Sequence, residues 1–227
     1  MRLGRGVVAA KRKSSPTVVL SELPERRVFQ RGTNTATIPL SGTWVGGTAG
    51  IEGRVINADT SAEVAAWSTI VANPTGSTWT GNLTVPQGGW YKIEVRRAGY
   101  TASAKTSVNR LGVGDIWMFA GQNQQALMSS LIGTAPAPDA LTVYRVSDGT
   151  WRVPGTFSGT GGNGGIRFLN LMRTYTGVPQ AMVNAAVADT RISDWDLDDP
   201  SMINARSILS SIGTIRGVLW HQGGSDI

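Results

Sequence analysis

The sequence predicts a multi-domain β + α/β protein with an extended N-terminal arm, a small β-sandwich and an α/β domain built on a mostly parallel sheet. Three observations predict it. Basic charge is concentrated at the N-terminus. Short runs of alternating apolar and polar residues, separated by Gly- and Pro-containing turns, fill the stretch from about Ala36 to Leu111. From Gly112 onward, strand-like apolar runs alternate with helix-compatible stretches. The expected boundaries are 1–37 for the arm, 38–111 for the sandwich and 112–227 for the α/β domain.

The arm is read from its charge. Residues 1–31 carry eight basic side chains (Arg2, Arg5, Lys11, Arg12, Lys13, Arg26, Arg27 and Arg31) against Glu22 and Glu25. That accounts for the whole formal net charge of +6, because the remaining residues carry 13 basic and 13 acidic groups. Ser14-Ser15-Pro16, Pro24 and the polar run Arg31-Gly32-Thr33-Asn34-Thr35 favour an extended segment, with one β-like run at Thr17-Val18-Val19-Leu20. A basic arm suits nucleic acid, an acidic partner surface or another subunit; a solvated tail is the plain alternative.

In the sandwich, strands are expected at Thr37–Leu40, Ile51–Ile56, Ala65–Val71, Trp79–Val85 and Trp90–Arg96, with a turn at Ser41-Gly42 and another at Pro86–Gly89. In the last strand Tyr91, Ile93 and Val95 fall on one face and Trp90, Lys92, Glu94 and Arg96 on the other. A Trp on that face binds sugar or, more often, belongs to core or hinge packing. With no Cys in the chain, this would be a cysteine-free sandwich of immunoglobulin-like type packed around aromatics.

The α/β half centres on Val113-Gly114-Asp115-Ile116-Trp117-Met118-Phe119-Ala120-Gly121-Gln122-Asn123-Gln124-Gln125. An apolar run ends on a glycine and a string of amides, the pattern of a buried strand entering a strand-to-helix turn. Such turns, at the carboxyl ends of parallel strands, are where ligands sit. Further strands are expected at Leu141–Val146, Gln180–Ala186 and Gly217–His221, and helices at Gly165–Tyr175 and Met202–Ile212. The second helix is started by Pro200-Ser201 and stopped by Gly213. The glycine-rich run 155–165 reads as a flexible loop; as a phosphate cradle it lacks the required Lys or Arg.

Composition removes several chemistries. Without Cys there are no disulfides, thiolate metal sites or Cys nucleophiles, and a single His, His221, excludes a multi-histidine metal centre. No cofactor and no metal site are expected. Asp194, Asp196, Asp198 and Asp199 lack the Gly and terminal Glu of an EF-hand loop and read as a solvated acidic loop. No stretch approaches the ~20 apolar residues of a membrane span. Gly6–Ala10 is too short for a signal peptide and runs into Lys11-Arg12-Lys13. The compartment is left open.

Three segments, in order, carry a resemblance. Val113–Gln122, Gly177–Val187 and Arg216–Gly223 resemble successive blocks of the SGNH hydrolases, specifically the sialate O-acetylesterase-like carbohydrate esterases. The resemblance covers about residues 111–227 and implies a partial flavodoxin-like α/β fold; related proteins also carry a β module before it. In that family the first block continues Gly-Gln-Ser-Asn with Ser as acyl nucleophile, the second ends Gly-Gly-Thr, the third continues Glu-Ser, and a later Asp-x-x-His supplies the base. Here Asn123 stands at the nucleophile position and Gln124 at the following Asn. Ala188-Asp189 replaces the Gly-Gly pair, Gly224 replaces Glu, and no Asp-x-x-His occurs. An amide cannot serve as an acyl nucleophile. Ser129 and Ser130 lie too far along the turn to replace it, and a substitute centre would draw on Ser225, Asp226 and His221. The relic cleft would be lined by Gln122, Asn123, Gln124, Asn184 and Gln222.

Three functions are therefore expected to compete. One is a non-catalytic structural or glycan-binding protein on a degenerate SGNH esterase fold, anchored through residues 1–37 to other subunits of an assembly such as a virion decoration or fibre. The second is a carbohydrate (sialate-type) O-acetylesterase. The third is an assembly protein whose basic arm contacts nucleic acid.

Overall fold

The computed structural model describes residues 17–45, 49–123, 126, 139–154 and 164–226. In chain order the strands are β1 (Thr17–Leu20), β2 (Arg27–Gln30), β3 (Thr35–Val45), β4 (Ile51–Asn57), β5 (Glu63–Val71), β6 (Thr78–Pro86), β7 (Gly88–Arg97), β8 (Lys105–Thr106), β9 (Leu111–Gly121), β10 (Leu141–Arg145), β11 (Thr150–Arg152), β12 (Gln180–Asn184) and β13 (Gly217–His221). Helix α1 is Gly164–Thr176 and α2 is Pro200–Ile212, and one-turn 3-10 segments lie at Thr101–Ser103 and Ile192–Trp195.

Two sheets form the N-terminal sandwich. β1-β3-β6 make a three-stranded antiparallel sheet. It packs on the other sheet, where β5, β4, β7 and the first part of β9 lie in order. β3 shows why: Ala36, Ile38, Leu40, Gly42 and Trp44 alternate inward along eleven residues. They meet Ile51, Val55, Ile93, Val95, Leu111 and Val113 from the facing sheet. Pro39 sits in β3 beyond the end of β1, whose last pair is Leu20↔Gly42, so its missing N–H faces an open edge. The turn expected at Ser41-Gly42 is absent. Both residues are mid-strand, and a Cβ on Gly42 would stand 1.9 Å from the Val19 carbonyl and 2.8 Å from the Trp79 ring. Glycine is needed there for close packing.

The arm expected over residues 1–37 is corrected from Thr17 onward; residues 1–16 lie outside the described region. β1 pairs with β3 and β2 pairs in parallel with β9. Three of the arginines that suggested an arm are internal. Arg26 is 5% exposed, stacks 4.4 Å over Trp90, and donates to the Asp139 carboxylate at 2.8 Å and to the carbonyls of Asp139 and Leu141. Arg27 covers the Phe29 ring and donates to Ile212 O at 3.3 Å. Arg31 grips Asp115 through Nε and Nη2 at 3.0 and 2.9 Å. Burial pushes the Asp115 carboxyl up, but hydrogen bonds from Arg31 and Gln30 and the charges of Arg31 and Arg216 outweigh it and hold it below the usual carboxylate range.

β9 carries one ten-stranded sheet from the sandwich into the parallel α/β part. Residues 111–114 pair with β2 and, with a register shift, β7; residues 115–119 pair with β12 and 117–121 with β13, both parallel. The boundary expected between 111 and 112 thus falls inside a strand. Leu111 and Val113 enter the sandwich core; Ile116, Met118 and Ala120 enter a second core with Ala205, Ile208 and Ile212 of α2; Phe119 enters a third with Leu169 of α1. Each of these Leu, Ile, Val, Met and Phe side chains contributes roughly 1.5–3 kcal/mol. Gly114 allows the passage, because a Cβ there would lie 1.9 Å from Pro179 O.

β10, β12, β9 and β13 form the parallel part of the sheet, with β11 antiparallel at the edge and a helix on each face. α2 begins at Pro200 and ends at Gly213, whose φ is +91°. β12 stops at Asn184, two residues short of the expected end, where the Ala186 N–H turns back onto the Asn184 side-chain oxygen at 2.8 Å. Trp90 is 4% exposed and donates to Asp139 O at 2.9 Å. It packs in the α2-side core and joins sandwich to α/β sheet. Of the glycine-rich run, only Gly164 and Gly165 fall within the described residues, where they open α1.

Candidate functional site

The carboxyl ends of β9, β12 and β13 converge. Gly121 ends β9 with φ +113°, and a Cβ there would stand 2.0 Å from the His221 carbonyl. That carbonyl accepts the Gln122 N–H at 2.9 Å, and the Gly121 carbonyl accepts the Val187 N–H at 2.9 Å. The Ala126 N–H then bonds Gln122 O at 3.0 Å, the first turn of a helical path. All three sequence segments therefore meet where parallel strands present ligand-binding groups.

At the centre, the residues that break the motif bond to one another. The Asn123 amide donates to Asp189 Oδ1 at 2.8 Å, and the Asp189 backbone N–H donates back to Asn123 Oδ1. Asp189 takes a left-handed backbone, φ +59°, a conformation Asp tolerates better than most residues. The result is a closed two-bond clamp just beyond the carboxyl end of β9. One donor and the carbonyl oxygen of Asn123 are committed to a neighbour.

Gln122 supports the clamp from below. It is 3% exposed, and its side-chain oxygen accepts the Asn123 N–H at 3.1 Å and the Ser225 hydroxyl at 3.4 Å. Its amide nitrogen fills the space beside Gly224, where a Cβ would stand only 2.5 Å away. A side chain at 224 would have to displace it. Gln222 donates to Thr190 O at 2.7 Å, while its buried oxygen finds no partner among the described residues. Asn184 serves the turn after β12, and Ala188 is exposed beside Asp189. Gln124, Ser129 and Ser130 lie outside the described residues.

The substitute centre drawn from Ser225, Asp226 and His221 is not assembled. The Ser225 hydroxyl points to Gln122; the Asp226 carboxylate accepts the Ile192 N–H at 2.7 Å and Gln222 Nε2 at 3.4 Å. The exposed His221 imidazole has no hydrogen bond to either among the described residues. Among those residues, no three His, Cys, Asp or Glu side chains gather where they would hold a metal ion. Within the acidic run, Asp194 bonds the Arg191 N–H at 2.6 Å, and Trp195 is the buried anchor.

Sequence reasoning missed the support on the α2 side. Trp195 donates to Thr190 Oγ1 at 3.1 Å, Thr190 donates to Val187 O at 2.9 Å, and Trp195 meets Trp220 edge-to-face at 4.8 Å. The available signal was a lone Trp within a run of Asp, which an exposed loop would not need.

The chain adopts the fold of a carbohydrate acetylesterase from Xanthomonas citri, with a TM-score of 0.52 and 21% identity over 93% of this chain. The chain spans 52% of the length of that structure. A protein from Arabidopsis thaliana aligns over 50% of this chain and 58% of its own, at 19% identity and TM-score 0.40. No protein-family model and no curated protein matches the chain.

Proposed function

We propose that this chain is a non-catalytic, carbohydrate-associated protein built on an SGNH-type esterase scaffold, preceded by an immunoglobulin-like sandwich. The Asn123–Asp189 clamp carries the reading. It replaces a hydroxyl nucleophile with an amide and bonds that amide to the residue standing where backbone should approach substrate. This lies inside the chain and is independent of any base a further segment would supply. Likeness to a carbohydrate acetylesterase supports carbohydrate as the ligand class. The test is hydrolysis of p-nitrophenyl acetate and an acetylated oligosaccharide by the purified chain. The expected rate equals that of heat-denatured protein; saturable turnover would overturn the reading.

A carbohydrate O-acetylesterase is the second reading, favoured by the same fold likeness. It requires that Asn123 be an unrepresentative replacement and that the missing His come from a further segment or another chain; turnover abolished by Ser225→Ala or His221→Ala would revive it. For residues 1–16, five basic side chains and no acidic one support a tether to another subunit of an assembly such as a virion, or to nucleic acid. Deleting them should abolish incorporation and leave the body folded. Nucleic-acid contact would show as binding that falls steeply with salt.

A further inference from the structure

A second polar groove lies at the opposite end of the parallel sheet. Its volume is about 740 Å³, and it is lined by Gln30, Arg31, Gly32, Thr33, Thr214, Ile215 and Arg216. One wall follows β2 and the other precedes β13, so it sits on the seam between sandwich and α/β sheet. Both walls are fixed to β9: the Arg31 N–H donates to Gly114 O at 2.9 Å, and the Arg216 N–H donates to Ile116 O at 2.7 Å. From Asp115 to Gly121 is six residues of strand, roughly 20 Å, so the groove is separate from the Asn123–Asp189 cleft.

Its charge is unbalanced. None of the lining residues is acidic. Asp115, 1% exposed, lies beneath and is neutralised by Arg31, whose Nη1 also donates to Gln87 at 2.6 Å. Arg31 is therefore positioned and pre-oriented, with N–H groups still free. The exposed Arg216 guanidinium hydrogen-bonds none of the described residues. Arg31 and Arg216 together bring two positive charges to the one Asp115 carboxylate, so the groove keeps a positive charge in excess, with the exposed hydroxyl residues Thr33 and Thr214 in its lining. Seams between structural units are preferred ligand sites, and the volume falls in the range of small-molecule pockets. A planar guanidinium recognises a carboxylate in two-point fashion.

We propose that this groove binds an acidic saccharide, with a carboxylate on Arg216 and sugar hydroxyls on the Thr33 and Thr214 side. The saccharide part rests on the carbohydrate-associated reading above; the requirement for negative charge rests on the groove alone.

The test is calorimetric titration of the full chain with trigalacturonate, maltotriose and inorganic phosphate. Trigalacturonate should bind, and maltotriose should bind at least about tenfold more weakly. Trigalacturonate affinity should fall about tenfold or more in Arg216→Glu and be only partly retained in Arg216→Lys, which keeps the charge but not the two-point fork. It should also fall as salt shortens the screening length. Arg216 is exposed, and an unchanged melting temperature of Arg216→Glu confirms that the loss is local. Equal affinity for maltotriose, no effect of Arg216→Glu, or binding of phosphate without trigalacturonate would overturn the proposal. If maltotriose binds and only Asp189→Ala weakens it, the groove fails and the carbohydrate reading stands. If no sugar binds at all, both fail.

Discussion

The two ends of the parallel part of β9 hold polar groups in opposite ways. At the amino end, Asp115 is buried and takes three side-chain hydrogen bonds from Arg31 and Gln30, elements that also fix β2 against the sheet. At the carboxyl end, Asn123 and Asp189 hold each other at the surface and fix little beyond themselves. The first arrangement is part of the fold's construction, since removing either partner strands a buried charge. The second ties off a site, so its residues are replaceable at small cost.

Asp115→Ala breaks the comparison hardest. It leaves Arg31 without its counter-ion and should lower unfolding free energy by about 3–5 kcal/mol in denaturant titration. Gly114→Ala, one residue away, forces a Cβ against the Pro179 carbonyl and should cost about 3 kcal/mol by the same measurement. Asn123→Ala removes a surface clamp and should cost only about 1 kcal/mol. Asn123→Ser should leave ester hydrolysis at background, because the His221 imidazole hydrogen-bonds none of the cleft residues among those described. Arg216→Ala should change stability by less than about 0.5 kcal/mol.

Acid sharpens the same contrast. The Asp115 carboxyl titrates below its unfolded value, so the stability it contributes is complete above the ordinary carboxylate pKa of about 4. That stability is lost as pH falls through the depressed folded value. Asp115→Asn should flatten the acid limb of a melting-temperature profile, whereas Asn123→Ala should leave that limb's shape unchanged.

The α/β half was largely legible. Strands β9, β10, β12 and β13 are apolar runs, and α2 carries its own punctuation at Pro200 and Gly213. β1 was legible as the run Thr17–Leu20, but β2 was not, because the arginines in and around it looked solvated. Arg26, Arg27 and Arg31 find their partners 113, 185 and 84 residues away, at Asp139, Ile212 and Asp115. No local pattern encodes such pairings. Gly42 misled in a related way: glycine marks turns and close packing alike, and only the Trp79 ring above it decides between them. At the cleft, Gln122, Asn123, Asp189 and Gly224, drawn from three separate segments, lie in contact. The reciprocal bond was hidden because it spans 66 residues and depends on a left-handed backbone at Asp189.

An unbroken β9 also bears on how this molecule comes apart and how it is inherited. A protease cut or recombination breakpoint between Leu111 and Gly121 would sever a strand that three cores share. Neither fragment would keep the ten-stranded sheet whole. The sandwich is therefore not a cassette to be exchanged at its expected border, and a pull on one half reaches the other through a continuous backbone with no slack linker between them.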